Sequence, residues 1–140
     1  MTTLFSRIIA GEIPGRFVWR DPQVVAFLTI SPLKPGHTLV VPRREVDHWI
    51  NMDPALNAHV FGVAHDIGAA IAKAFPSRKV GMLIGGLEVP HCHVHLVPID
   101  TLQDLDFDRQ DRNPDPRALD DAAAHLRAAL KSLGHAEVVN

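Results

Sequence analysis

The sequence predicts an α+β fold: an antiparallel five-stranded sheet with one long central helix and a C-terminal helix. Three observations carry this expectation. Short β-rich apolar runs follow one another with only turns between them, which favours antiparallel pairing. Two Asp-Pro pairs, Asp53-Pro54 and Asp115-Pro116, each head a long stretch read as helix. The segment 91–96 alternates strictly between histidine and apolar residues, the period of a half-buried strand.

Taken in order, residues 4–10 read as a short helical turn closed by Gly11 and the turn pair Pro14-Gly15. Residues 17–20 read as a first strand. Asp21-Pro22 turns the chain into a second apolar run, 24–30. Ser31-Pro32, Pro35 and Gly36 punctuate the next loop, and 37–41 follow as a third strand stopped at Pro42. After Asp53, the residues Leu56, Val60, Val63, Ile67, Ile71 and Ala74 recur at helical spacing, so one helix should run to just before Pro76. Residues 80–84 read as a fourth strand and 91–98 as a fifth. Residues 104–116 are acidic, polar and loop-like. The last helix should run from Pro116 to Leu133, with Gly134 as its stop. The helices are expected on one side of the sheet.

The chain has 140 residues, which suits one domain spanning 1–140. Formal net charge is -2 and the isoelectric point is about 6.5, with basic residues scattered. Neither a nucleic-acid-binding arm nor a patch for an anionic membrane is expected from that balance. Cys92 is the only cysteine, so no intrachain disulfide can form. Neither a signal-peptide stretch nor a membrane-length apolar run is visible, so a soluble cytoplasmic protein is expected.

There are nine histidines, and three of them fall within five residues. On a strand, His91, His93 and His95 share one face while Cys92, Val94 and Leu96 face a core. Three imidazoles in a row are costly to bury without partners. A metal site is the sharp competitor to a catalytic row. His91 and His95 are roughly 13 Å apart along an extended strand. Each ring nitrogen would have to come within about 2.1 Å of a zinc ion. The row suits an extended anion better than a point cation, although a site using His93, one neighbour and outside ligands stays open. A phosphate ester or anhydride is such an anion. A neutral imidazole can attack phosphorus, and a second can stabilise charge or protonate a leaving group.

The run His91-Cys92-His93-Val94-His95-Leu96-Val97 resembles the signature of the histidine-triad (HIT) superfamily, in which histidines alternate with apolar residues. Three further blocks are similar: Leu4-Phe5 with 8–14, Ala26-Phe27 with Ile30-Ser31-Pro32, and 36–42. The likeness covers residues 4–98 and looks closest to the Hint-type nucleotide hydrolase and transferase branch; 99–140 are not diagnostic. It implies that His93 is the nucleophile, nucleotidylated on the α-phosphate of a nucleoside 5′-monophosphate derivative. It implies that the His91 carbonyl orients the His93 ring, that His95 serves the phosphate and leaving group, and that His37 supports the triad. It maps a nucleoside pocket onto Leu4, Phe5, Ile8, Ile13, Phe27, Leu28 and Thr29. It implies a small-molecule nucleotide as partner, no cofactor, and a homodimer with residues 54–75 as an interface element.

The sequence also departs from that pattern. Thr3, Ser6 and Glu45 stand where many relatives place zinc ligands, so no metal is expected. Thr29 stands where an acidic residue usually binds the ribose. Leu87 and Glu88 stand where a phosphate-binding glutamine and a hydroxyl residue are usual, with Gly85 and Gly86 offering backbone N–H groups to the phosphate in compensation. Because these departures fall on ribose and phosphate contacts, a nucleotide-binding regulatory homodimer with little turnover is the alternative to an enzyme.

Overall fold

The computed structural model describes residues 2–140. Strands β1 (Phe17–Arg20), β2 (Val24–Leu28), β3 (Thr38–Pro42), β4 (Lys79–Leu83) and β5 (Val94–Ile99) form one antiparallel sheet in the order β1-β2-β3-β5-β4. Helix α1 (Leu4–Ile9) precedes the sheet, α2 (Pro54–Ala74) connects β3 to β4, and α3 (Pro116–Ser132) ends the fold. The α+β architecture read from the sequence is the one observed.

The two long helices start where their Asp-Pro signals place them. Asp53 accepts the amide of Leu56 and Asp115 that of Arg117, and each cap contributes about 1 kcal/mol. Beyond α3, Gly134 takes φ +89°, the left-handed conformation glycine adopts most easily. Both helices pack on one face of the sheet. Ile67 and Ile71 of α2 and Leu126 and Leu130 of α3 are fully buried there against Val24, Ala26, Val40, Val94 and Leu96. Each such side chain contributes roughly 1.5–3 kcal/mol of transfer free energy.

Strand alternation sends Val25, Phe27, Leu39 and Val41 to the opposite face, where α1 covers them with Phe5 and Ile8. This corrects the expectation that the helices share one side. α1 has six residues and cannot cover the whole face, and what it leaves open is a cavity.

The strand boundaries differ by a few residues. β2 stops at Leu28 rather than residue 30 because the Thr29 amide turns to His37 O (3.3 Å) and the Thr29 hydroxyl accepts the Ser31 amide (3.2 Å). β3 and β4 are shifted by one residue from their expected spans, in opposite directions. β5 begins at Val94, not at residue 91. The His91 amide bonds locally to Val89 O (2.8 Å) and the Cys92 amide to Val46 O (2.7 Å), so residues 91–93 lie outside the ladder. Their side chains nonetheless alternate: Cys92 is in the core beneath α2, and the histidines face α1. The expected loop 104–116 is more ordered than its composition suggests, with single 3₁₀ turns overlapping or within it at Leu102–Leu105 and Phe107–Arg109. No helix among the described residues is long and apolar enough to cross a membrane.

Candidate active site

The sheet register sets the row of imidazoles. His95 pairs with Leu39 of β3 and Leu83 of β4, which fixes it in mid-sheet, and His93 precedes it at the strand entrance. The rings of His93 and His95 lie 4.9 Å apart, and the ring of Phe5 from α1 lies edge-on to His93 at 4.8 Å. Beside them opens a cavity of about 500 Å³. His93, His95 and Glu88 line it, together with Leu4, Phe5, Ile8, Ile13, Phe27, Leu28 and Thr29. His91 and His37 do not line it; they are buried behind it, 0 % and 1 % exposed. Gly85 and Gly86, expected on the phosphate side, do not line it either.

The partners of each ring fix its tautomer. The Leu33 amide donates to His37 Nδ1 (3.0 Å), so the proton of His37 sits on Nε2 and is donated to His95 Nδ1 (2.9 Å). His95 therefore carries its own proton on Nε2. His93 donates from Nδ1 to the carbonyl of His91 (2.8 Å), which leaves the lone pair on its Nε2. His91 donates from Nε2 to Pro42 O (2.6 Å) and accepts the Thr3 hydroxyl at Nδ1 (2.6 Å). Among the described residues, Asn57 Oδ1 is the one sealed side-chain polar atom without a partner. The free Nε2 atoms of His93 and His95, which make no hydrogen bond, are thus open to the cavity. One presents a lone pair and its neighbour presents an N–H.

Burial holds the whole set neutral. It lowers His37 to about 4, helped by the repulsion of His93, and lowers His95 to about 3, helped by His37 and His93. His91 and His93 are shifted the same way, again chiefly by burial. Two effects oppose that shift at His93: its hydrogen bond to the His91 carbonyl and the charge of Glu88. On the other face, burial pushes the Cys92 thiol up to about 11, which leaves it inert as a nucleophile.

Sequence reasoning missed one wall of the cavity. Phe107, Gln110 and Arg112 line it from the segment read as a plain loop, and Arg16 with Asp120 closes its rim through a 2.7 Å ion pair. Phe107 lies on the His95 ring (4.9 Å between centroids) and near His37 (6.3 Å). An aromatic residue isolated among acidic ones was the only sign of it in the sequence.

The HIT domain profile matches residues 10–102. A HIT-like protein of Borreliella burgdorferi is 37% identical over 102 residues, covering 68% of this chain and 73% of its own length. A purine nucleoside phosphoramidase of Escherichia coli K12 is 34% identical over 102 residues, covering 68% of this chain and 85% of its own. Among solved structures, a Zn-bound histidine triad family protein of Mycobacterium smegmatis superposes with TM-score 0.80 at 28% identity, covering 95% of this chain and 96% of that one. A fold that sets two uncharged imidazoles on a cavity wall, His93 and His95, with His91 and His37 buried behind them, together with these likenesses, defines the class: a histidine-triad protein. The chain belongs to the HIT family.

The residues present do not fit a zinc ion at the position where relatives of the sequence pattern place one. Both ring nitrogens of His91 are occupied, Thr3 and Ser6 offer hydroxyls in place of thiolates, and Glu45 accepts the Ser6 hydroxyl (2.6 Å) and the Thr3 amide (2.9 Å). A hydrogen-bonded cluster thus ties the start of α1 to the triad. Thr3→Val strands the buried Nδ1 of His91 and is expected to lower stability by about 1–3 kcal/mol. Thr3→Ser should keep most of it. Urea unfolding of both variants checks this, and equal losses would show that the hydroxyl is irrelevant.

Proposed function

We propose that the chain is a nucleotide hydrolase or nucleotidyl transferase of the Hint-type branch, cleaving a nucleoside 5′-monophosphate derivative through a nucleotidyl-His93 intermediate. The observation that carries this reading is the pair of open Nε2 atoms, with the lone pair of His93 beside the N–H of His95. The base and ribose occupy the apolar side of the cavity against Phe5, Ile8 and Phe27. His93 Nε2 attacks phosphorus, an N–P bond forms, and the bond to the leaving group breaks with its electron pair on the leaving atom, which takes a proton from solvent. His95 Nε2–H holds the charge that develops there. His93 keeps its Nδ1 proton on the His91 carbonyl and becomes a cationic ring, which Glu88 stabilises. Water then attacks phosphorus, the N–P electron pair returns to Nε2, and the water's proton leaves to solvent. No cofactor takes part. The protein works in the cytoplasm as a homodimer with α2 at the interface.

The substitutions Thr29, Leu87 and Glu88 support a second reading, a nucleotide-binding regulatory protein with little turnover; Leu87 is 97 % exposed and touches no part of the cavity. A panel of adenosine and guanosine 5′-phosphoramidates, dinucleoside polyphosphates and nucleotidyl-sugars separates the two. The expected result is release of nucleoside monophosphate from at least one class, undiminished by a strong chelator. Micromolar binding without product on long incubation would establish the second reading instead.

A further inference from the structure

The segment 107–112 lies beyond the matched domain and is docked rather than draped. Gln110 donates from Nε2 to Ser31 O (3.0 Å), the Asp111 amide donates to Pro32 O (2.9 Å), and Phe107 rests on His95. Ser31 and Thr29 line the same cavity. The segment is therefore a fixed wall next to the end of β2.

The charges around the cavity are few. The histidines that line it are neutral. Arg16 and Asp120 satisfy each other at 2.7 Å. Glu88 acts on His93. The remaining cation is Arg112, and among the described residues it has no carboxylate within 4 Å and makes no hydrogen bond. The apolar end of the cavity suits a base, and His93 marks the phosphorus that is attacked. A guanidinium left unmatched on such a wall suits a planar, bidentate contact with an oxyanion. One phosphate at His93 leaves that cation unused.

We infer that Arg112, an exposed side chain carried on the segment that Phe107, Gln110 and Asp111 dock, recognises a second phosphate group on the nucleotide, so that the preferred substrates carry one more phosphate than the one attacked. This rests on the nucleotide reading above and narrows it. The second phosphate is attached either to the ribose or to the first phosphate, and the experiment separates these sources.

Affinities of adenosine 5′-monophosphate, 5′-diphosphate, 2′,5′-bisphosphate and 3′,5′-bisphosphate are measured by calorimetry on the wild type, Arg112→Gln and Arg112→Lys. The expected result is that one of the three doubly phosphorylated ligands binds the wild type at least tenfold more tightly than the monophosphate. The ratio should fall to about one in Arg112→Gln and be partly restored in Arg112→Lys. The ligand that shows the preference locates the second phosphate. Ratios near one in the wild type, or a preference that survives in Arg112→Gln, would overturn the inference while leaving the nucleotide reading intact. Failure of all four ligands to bind would overturn both. Because binding is read without turnover, an inactive but binding protein still decides the question.

Discussion

His93→Ala is expected to lower kcat/KM on the best substrate of the panel by at least about 10³-fold, with no covalent adduct, while the nucleotide still binds. The size follows from the role. Removing a nucleophile removes the covalent route itself, and only binding and charge stabilisation at phosphorus remain. Wild-type protein quenched during turnover should carry one nucleotidyl group by intact mass, and a peptide map should place it on the segment holding residues 91–95. The alanine protein should carry none.

The same variant tests whether His93 is merely structural. Its ring is 6 % exposed and touches Phe5 and His95, so truncation leaves a small void and should cost about 1–3 kcal/mol. That is visible in urea but far from unfolding a domain. Activity lost in proportion to stability would sink the catalytic role. The comparison with His95→Gln is informative because glutamine still donates a hydrogen bond. That variant should retain a measurable fraction of turnover and still form the adduct, since the lone pair on His93 depends on the His91 carbonyl and not on His95.

How far the sequence reveals this site depends on the range of the interactions involved. Alternation at 91–96 predicts a common face for the three histidines, and the prediction survives although 91–93 leave the ladder, because side-chain alternation needs extended backbone, not paired backbone. The long helices announce themselves through their caps and apolar spacing. The side occupied by α1 is not legible, since six residues hold too few apolar positions to signal which face they bury. Nor are the tautomers. They are set by the Leu33 amide, the Pro42 carbonyl and the Thr3 hydroxyl, the last two contacts spanning 49 and 88 residues of chain. The wall at Phe107, Gln110 and Arg112 is hidden by its polar neighbours, because composition records solubility and not docking.

The coupled pair His37–His95 has the second large consequence, an acid limit on stability. Both rings are neutral in the fold, at about 4 and about 3, whereas in the unfolded chain each titrates near 6.5. Between these values the unfolded state binds more protons than the folded state, so stability rises with pH. The contribution is fully present above about pH 6.5 and is lost as pH falls towards 4 and then 3. The geometry gives the reason: Nε2–H of His37 points at Nδ1 of His95 across 2.9 Å, and a second proton there would set N–H against N–H in a buried site. At about 1.4 kcal/mol per pH unit, the two rings together withdraw of order 6 kcal/mol by pH 4, a large fraction of what a domain of this size holds in reserve. Urea midpoints at pH 7, 5.5 and 4.5 should fall steeply for the wild type. His37→Gln can still donate to His95 but cannot titrate. It should start less stable at pH 7 and lose less on acidification, so that the two curves converge. Curves that stay parallel from pH 7 to 4.5 would mean that the pair does not set the acid limit, and that the relay of protons read from its partners is wrong.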